Sequence, residues 1–296
     1  MRLVRYTQKE EATRLGALTD HGVLGLQDAA WTGGIPAEIF INVMSFLAAG
    51  ESGLQTAQKL LQSAPQSAFV PLTAVRLRPP VPHPGKIIAV GLNYLDHFIE
   101  SGAKELPKSP IIFAKFPTSL VGPEDAIVIP EGEPNVDYEA ELAVVIGRKG
   151  KAIAAATAFE YVAGYMPLND VSARAWQFAD KQWVRAKSCD SFCPTGPYLT
   201  TRDQIPDPHA LSIFARVNGV TLQDSSTSKM IFQLPQLIEF ISASITLEPG
   251  DIIATGTPDG VGVFRKPPLF LKPGDVVEIE IENLGVLRNP VVGAKI

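Results

Sequence analysis

Residues 136–147 read VDYEAELAVVIG, a stretch in which alternating acids give way to an unbroken apolar run. Side chains two residues apart share a face in an extended strand, so Asp137, Glu139 and Glu141 are predicted to project together. The apolar half, LAVVI, indicates a strand that enters the core. Like charges at this spacing repel each other, and a hard divalent cation, which prefers oxygen ligands, would compensate them. A solvated edge strand with a protective charged face is the alternative.

A third carboxylate is found in residues 161–177, YVAGYMPLNDVSARAWQ. The first half of this segment predicts a strand, and Asn169-Asp170 is predicted to begin a helix. Asp170 could then be an ordinary helix N-cap. Arg174 and Gln177 follow at i+4 and i+7, so they would share its helix face. An acid, a guanidinium and an amide on one face favour anion binding beside a metal over a salt-bridged surface helix.

A histidine and a glutamate occur at helical spacing in residues 92–102, LNYLDHFIESG, directly after the predicted strand 86–91. His97 and Glu100 are at i and i+3, so they can form a hydrogen bond on a helix. A histidine whose tautomer and pKa are set by a carboxylate is a usable general base. A surface His–Glu pair is the alternative interpretation.

Two further segments carry candidate substrate-binding groups. Lys187 lies in VRAKSCDSFCPTGP, and a lysine near a metal can hold a substrate carboxylate or stabilise an enolate. The loop IIATGTPDGVG (252–262) offers backbone N–H groups, that of Gly256 among them, and the hydroxyls of Thr255 and Thr257 to an anion. A surface lysine and a structural turn are the alternatives.

Short strands are predicted for most of the remaining chain. Asn218-Gly219 is a hairpin signal, and VVEIEI (276–281) alternates as a half-buried strand does. A helix from Pro235 to Ser242 is predicted because proline is favoured at a first helical position. Regular βαβ alternation is missing. An α+β fold with a mixed β-roll or β-sandwich is therefore predicted.

A proline-rich stretch at residues 64–85 predicts a boundary between two units. Residues 1–75 are predicted to form a small N-terminal α/β domain, and residues 76–296 the catalytic domain. In the first unit, Ile39, Val43 and Phe46 recur at helical spacing.

The composition excludes several classes of function. With 26 basic and 31 acidic residues the net charge is -5, so the basic footprint of a nucleic-acid-binding protein is missing. No apolar run is long enough to span a bilayer, and MRLVRYTQKEE lacks the apolar stretch of a secretory signal. A cytoplasmic location is predicted. P-loop, G-x-G-x-x-G and G-x-S-x-G motifs do not occur, and four scattered histidines argue against a zinc site.

Taken together, the segments resemble the fumarylacetoacetate hydrolase family over about residues 78–296. Seven pieces occur in the family's order: GLNYLDHFIE, PIIFAKFPTSLVGP, DYEAELAVVIG, YVAGYMPLNDVSARAWQ, RAKSCDSFCPTGP, SSTSKMIFQLPQLIEFIS and LEPGDIIATGTPDGVG. The resemblance implies Mg2+ or Mn2+, with Ca2+ able to replace them in crystals, bound by Glu139, Glu141 and Asp170. It also implies a homodimer that acts on a 2-oxo acid.

The same resemblance implies the roles of the other candidate residues. His97, with Glu100 beside it on a mobile lid helix, would be the base. The residues expected near the substrate are Lys187, Arg174, Gln177 and Thr257, with Gly256 next to them in the loop. Asp137 is an extra acid, expected beside the site or on the surface.

Hydrolysis of a C–C bond in a 2,4-dioxo acid of the acylpyruvate type is the predicted reaction. Its pyruvate enolate product would be stabilised by the metal and by Lys187. Decarboxylation or tautomerisation of oxaloacetate, and isomerisation of a 2-hydroxymuconate-type acid, are alternatives at the same site. A non-catalytic metal-binding or ligand-binding module is a further alternative, which the His97–Glu100 pair disfavours. The N-terminal unit resembles that of many bacterial members of the family.

Overall fold

The computed structural model describes residues 1–9 and 12–294. Their α-helices are Leu26–Thr32 (α1), Val43–Ser63 (α2), Leu95–Glu100 (α3), Arg174–Ala179 (α4), Val184–Lys187 (α5) and Leu234–Ser244 (α6). Their strands are Arg2–Thr7 (β1), Arg14–Thr19 (β2), Gly22–Gly25 (β3), Phe69–Val70 (β4), Arg76–Arg78 (β5), Ile87–Gly91 (β6), Ile111–Lys115 (β7), Leu120–Val121 (β8), Ile127–Ile129 (β9), Val136–Asp137 (β10), Ala140–Ile146 (β11), Val162–Asn169 (β12), Ser172–Ala173 (β13), Cys193–Pro194 (β14), Leu199–Thr201 (β15), Ser212–Val217 (β16), Val220–Ser226 (β17), Ile252–Ala254 (β18), Val276–Ile281 (β19) and Gly285–Gly293 (β20).

Two large sheets organise these strands. The main sheet has the order β4-β3-β2-β1-β15-β12-β11-β18-β6-β7, with β5 paired to β1, and the second has the order β17-β16-β19-β20-β9. Leu142 and Val144 of the main sheet share a buried apolar cluster with Ile213 and Ile279 of the second sheet. Several sheets with few helices confirm the predicted α+β class.

Strand β11 lies at the centre of the main sheet and is buried on both faces. Leu142 and Val144 face the core between the sheets. Ala143 and Val145 belong to a second core, which also contains Phe46 of α2. A strand that packs on both sides needs apolar residues at successive positions. The unbroken LAVVI run is explained in this way, and its predicted entry into the core is confirmed.

The predicted single strand 136–147 is wrong in one respect, because the structure divides it into β10 and β11. At the break, the backbone N–H of Glu139 donates to Asn169 Oδ1 (3.0 Å), and that of Ala140 donates to Gln223 Oε1 (2.9 Å). Side-chain amides thus replace strand partners at these positions. Of the three acids in this segment, Glu139 lies in the break, whereas Asp137 and Glu141 remain paired in β10 and β11.

Local patterns elsewhere are confirmed. Asn218 (φ 52°) and Gly219 (φ 78°) join β16 to β17 with the two positive φ angles that a tight hairpin requires. Strand β19 spans Val276–Ile281 as predicted, with alternating burial. Helix α6 begins one residue before the predicted proline and ends two residues beyond Ser242.

The N-terminal strands continue the main sheet, because Arg2 and Leu3 of β1 pair with Thr200 and Leu199 of β15. Helix α2 is kinked at Gly50 and begins at Val43, so Ile39 lies outside it. The division at residues 75 and 76 stays a prediction. Within the described part of the chain, no helix is both long enough and apolar enough to cross a bilayer.

Candidate active site

Strand register brings the three predicted acids together. Strand β11 pairs antiparallel with β12, so that Ala140 lies opposite Asn169. One residue outside this pair, the N–H of Asp170 donates to the carbonyl of Glu139 at 3.0 Å. The side chains of Glu139, Glu141 and Asp170 are buried, and each places a carboxylate oxygen within 4.8 Å of the other two. Two adjacent strands therefore build an oxygen-rich cluster from residues about thirty positions apart in the chain.

The predicted helix beginning at Asn169-Asp170 is wrong. Helix α4 begins at Arg174, after the two-residue strand β13. Asp170 is therefore not a helix cap, and its side chain points into the acidic cluster. Arg174 and Gln177 do share one face of α4, where Arg174 Nη1 donates to Gln177 Oε1 at 2.9 Å.

Two buried lysines contact the acids. Lys187 Nζ, at the end of α5, donates to Glu139 Oε2 (2.7 Å) and to Asp170 Oδ2 (2.8 Å). Lys115 Nζ, at the end of β7, donates to Asp170 Oδ1 (2.6 Å) and also contacts the backbone carbonyl of Lys187. Lys115 is not among the site residues predicted from the sequence. The sequence does carry a signal for Lys115, which ends the apolar run IIFAK. A lysine buried at the end of such a run needs a charged partner, because lysines are almost never fully buried unless they are paired.

The surrounding charges set the protonation of the cluster. Burial raises the pKa of Glu139, but Lys187 and Arg174 outweigh burial and lower it to about 2. The pKa of Glu141 is raised well above its usual range, first by burial and then by the negative charges of Asp170 and Glu139. Burial lowers the pKa of Lys187, but Asp170 and Glu139 reverse this effect, so Lys187 remains an ammonium.

A divalent cation fits this donor set. Glu139 faces Arg174 Nη2 (2.7 Å) and Lys187, and Asp170 faces two lysines. Glu141, among the described residues, has no salt bridge, and its side chain accepts one hydrogen bond, from the N–H of Gly256 (2.9 Å). Glu141 is thus the acid of the cluster with no cation in contact, and its raised pKa means that its charged form is unfavourable without one. Three clustered carboxyl groups, one of which would gain a positive neighbour, suit a hard cation such as Mg2+ or Mn2+.

The predicted His–Glu pair forms on α3. His97 Nδ1 lies 3.2 Å from Glu100 Oε2, and the His97 side chain is 8% exposed. Glu100 Oε1 accepts the N–H of Gly260 (2.9 Å), and the His97 ring lies 5.9 Å from that of Phe264. Helix α3 covers six residues of the segment 92–102, from Leu95 to Glu100. Because Glu100 is anchored at its second oxygen, it can hold the imidazole in one orientation.

The loop after β18 reaches the acids from the other side of β11. Strand β18 lies between β11 and β6, so residues 255–257 follow it to the same end of the sheet as Glu141. The N–H of Gly256, predicted to meet an anion, donates instead to Glu141 Oε2. Thr257 Oγ1 accepts from Gln223 Nε2 (2.8 Å), so its own hydroxyl proton is free to be donated.

One cavity of about 190 Å³ joins these groups. Eight of the ten predicted site residues line it: His97, Glu139, Glu141, Asp170, Arg174, Gln177, Lys187 and Thr257. The other two act through neighbours, since Glu100 contacts His97 and Gly256 contacts Glu141. Aromatic rings of Phe113, Trp183 and Phe264 form apolar walls. The cavity thus brings together three acids that could hold a cation, the His97 ring paired with Glu100, and hydrogen-bond donors.

Comparison with known proteins agrees with this geometry. The family model described as Fumarylacetoacetate (FAA) hydrolase C-terminal matches residues 86–292. The chain is 51% identical over 251 residues to "Oxaloacetate tautomerase Fahd2a, mitochondrial" of Rattus norvegicus, covering 84% of this chain and 79% of that protein. It is 47% identical to "Oxaloacetate tautomerase fahd2, mitochondrial" of Xenopus laevis, covering 99% of this chain and 90% of that protein.

A solved structure extends the comparison to a bound ion. The maleylpyruvate hydrolase of Sphingobium sp. SYK-6, in complex with manganese (II) ion and pyruvate, aligns over 100% of both chains. The TM-score is 0.82 and the sequence identity 33%. The names of the two tautomerases place them in mitochondria, and the cytoplasmic location of this chain stays a prediction.

Proposed function

The chain belongs to the fumarylacetoacetate hydrolase family, and from this premise we propose that it interconverts the keto and enol forms of oxaloacetate in a divalent-metal-dependent reaction. The observation that carries the proposal is the cavity that places the acids Glu139, Glu141 and Asp170 together with His97. The two tautomerases, about half identical to this chain, support the choice of reaction. The cavity has a volume of about 190 Å³, which is below the roughly 300–1,000 Å³ of pockets for drug-sized ligands. This small volume favours a substrate of few atoms.

Glu139, Glu141 and Asp170 would hold the cation. When bound, a divalent ion would supply Lewis-acid polarisation of the substrate's 2-oxo group, which makes the neighbouring C–H more acidic. Glu139 and Asp170 also contact Lys187. This ammonium uses two of its three N–H donors on the acids, which leaves the third for a substrate oxygen.

His97 would move the proton. Its Nδ1 is paired with Glu100, so Nε2 is the ring nitrogen left to act as the base. Nε2 takes a proton from carbon 3, and the electron pair of that C–H bond forms the new carbon–carbon double bond. The carbonyl electrons move to the oxygen on carbon 2, and return of one proton to that oxygen gives the enol.

The substrate carboxylates would be oriented by groups with unused donors. Arg174 donates its Nε–H to Asp137 and one Nη1–H to Gln177, whereas its Nη2, 2.7 Å from Glu139 Oε1, forms an ion pair without an aligned hydrogen bond, so N–H donors remain for a substrate carboxylate. Gln177 receives the Arg174 bond at Oε1, which leaves its NH2 group available. The hydroxyl of Thr257 is also free to donate.

Hydrolysis of a 2,4-dioxo acid is the second candidate. The His97–Glu100 pair that removes a carbon-bound proton could equally activate water. A second cavity of about 780 Å³ is lined in part by Arg265, Phe270 and Glu100, the partner of His97. The structural similarity to the maleylpyruvate hydrolase favours the same reaction.

A comparison of two substrates separates these candidates. The rate of enol–keto conversion of oxaloacetate would be followed by ultraviolet absorbance, and release of pyruvate from acetylpyruvate in parallel. We expect fast oxaloacetate conversion with Mg2+ or Mn2+, its loss in EDTA, and its recovery on adding metal. An enzyme that cleaves acetylpyruvate and leaves oxaloacetate at its uncatalysed rate would replace the first candidate with the second.

Replacing His97 tests the assignment of the base. A general base contributes about 10²- to 10⁴-fold, so H97A should lower kcat by that much and leave Mn2+ binding intact. The control is H21A, since His21 is exposed and is not among the residues that line the cavity. Turnover by H97A equal to that of H21A would remove His97 from the mechanism.

A further inference from the structure

Asp137 is a buried acid that the reaction does not use directly. Its side chain has no exposed surface, and it is not among the residues that line the cavity. Oδ1 accepts the N–H groups of Tyr138 (2.9 Å) and Gly262 (2.8 Å). Oδ2 accepts Arg174 Nε (2.8 Å) and the N–H of Val263 (3.0 Å). Four bonds occupy about all the lone-pair sites of a carboxylate, so Asp137 has none left for a metal.

Asp137 Oδ2 is linked to Glu139 of the acidic cluster through Arg174. Arg174, held at Nε by Asp137, places Nη2 2.7 Å from Glu139 Oε1 and Nη1 2.9 Å from Gln177 Oε1. A guanidinium is planar, so fixing Nε fixes the directions of the other two nitrogens. The orientation of the Glu139 carboxylate therefore depends on Asp137 through a single rigid group.

Asp137 is also linked to the acid/base pair, through the loop that contains Gly260 and Gly262. Gly262 lies so close that a Cβ there would be 2.5 Å from Asp137 Oδ1 and 1.9 Å from Leu269 O. The same loop supplies the Gly260 N–H that holds Glu100 and the Phe264 ring beside His97. Tyr138, adjacent to Asp137 in sequence, donates from its hydroxyl to the Gly260 carbonyl (2.9 Å). The loop 260–264 is thus bonded to Asp137 and Tyr138, which directly precede Glu139 in the chain.

We propose that Asp137 is a positioning residue that sets the geometry of both halves of the site, Glu139 through Arg174 and Glu100 through the loop 260–264. The inference rests on the proposed function, because it requires a metal and an acid/base pair that act on one substrate. Groups that orient metal ligands typically contribute about 10- to 100-fold in metal affinity or activity. A displacement of a reacting group by about 1 Å can lower the reaction rate by about 100-fold.

The test compares D137N with D251N. In D137N the new NH2 group would face two N–H donors whichever way the amide turns, either Arg174 Nε and the Val263 N–H or the N–H groups of Tyr138 and Gly262. Residue 137 therefore loses its link either to Arg174 or to the loop 260–264. Asp251 is a matched control, because it is also fully buried and is bonded to Lys86 Nζ (2.8 Å) and the Glu248 N–H (2.7 Å). Both variants should unfold at lower temperature. We expect only D137N, measured well below its Tm, to weaken Mn2+ binding in calorimetry and to lower kcat at saturating Mn2+, each about 10-fold or more.

A double variant tests whether Asp137 acts through Arg174. In the R174M background, D137N should cause less than about a twofold further change in Mn2+ affinity, because neighbours in one network are not additive. An equal further loss would overturn the link through Arg174. If D137N has the same Mn2+ affinity and kcat as the wild type and differs only in a lower Tm, the proposal as a whole is overturned.

A D137N variant that does not fold, and a wild-type protein without activity on oxaloacetate, each leave a measurement that still tests the role of Asp137. If D137N does not fold, R174K keeps the charge but lacks the Nε–H that meets Asp137, and wild-type Mn2+ affinity in R174K would overturn the link. If the wild-type protein binds Mn2+ but does not convert oxaloacetate, the proposed function fails. The Mn2+ affinity of D137N against D251N then still decides the role of Asp137.

Discussion

Glu141 is the acid of the cluster whose charge has no cationic partner among the described residues. Its pKa is raised well above the usual range by burial and by the charges of Asp170 and Glu139. A buried carboxyl group of this kind gains most from a bound cation, because the ion offsets both effects. The site is therefore expected to be less stable without metal than with it.

Replacing Glu141 by glutamine separates metal binding from folding. E141Q should weaken Mn2+ binding by more than the roughly 10- to 100-fold typical of a group that only supports a ligand. In EDTA its Tm should be unchanged or raised, since the amide, unlike the carboxyl group, has no charged form for burial and the neighbouring acids to disfavour. Calorimetry and thermal unfolding measure the two effects, with E248Q as the control, because Glu248 is about half exposed. Retained Mn2+ affinity with a lower Tm in EDTA would contradict the assignment.

Residue types close together in sequence could be predicted, and contacts between distant residues could not. The spacing of Glu139 and Glu141 is local, and so is that of His97 and Glu100. The buried bond of Lys115 to Asp170 joins positions 55 apart, and that of Asp137 to Gly262 joins positions 125 apart. Nothing in the neighbouring residues of Lys115 or Asp137 specifies these partners, because they are set by strand register and loop path.

At the scale of elements, hydrophobic periodicity predicted the strands and helices that have one buried face. Strand β19 and helix α6 follow their patterns closely. The segment 169–173 does not form the predicted helix, because backbone partners compete for it. The N–H of Asp170 bonds to Glu139 O, and Ser172 pairs with Asp137 in the β10–β13 ladder. Pairing across the chain thus outweighed the local helix signal.

The start of helix α6 makes the stability of the protein depend on pH. His209 Nε2 accepts the N–H of Leu234 (3.1 Å), so this nitrogen must be unprotonated. Burial lowers the pKa of His209 below 6.5, although Asp207, 3.6 Å from Nδ1, opposes the shift. The unfolded chain therefore binds a proton more readily than the folded one, and stability falls as the pH drops through 6.5 toward the folded pKa.

Thermal unfolding at pH 7.5 and pH 5.5 measures this dependence. H209Q keeps an acceptor for Leu234 but has no charge to gain, so its Tm should fall less between the two pH values than that of the wild type. H21Q replaces an exposed histidine and should behave as the wild type does. The same drop in Tm for all three proteins would exclude His209 as the group responsible.

At the scale of the whole molecule, the site lies where several chain segments meet. Strands β12, β11, β18 and β6 are neighbours in the main sheet, and each supplies or precedes a residue of the cavity. The family resemblance predicted this convergence, whereas local pattern alone predicted only the elements. The continuous sheet from β4 to β7 was not predicted, because strand order between distant segments leaves no periodic signal. Homodimer formation and the cytoplasmic location stay predictions.

We expect Glu139, Glu141 and Asp170 to hold one divalent cation facing His97. Crystals grown with excess Mn2+ and measured near the manganese absorption edge would test it directly. The claim predicts one anomalous peak in the cavity, with an oxygen of each acid at about 2.0–2.6 Å. Well-ordered crystals without a peak between these carboxylates, or with the three side chains turned away from one another, would contradict it.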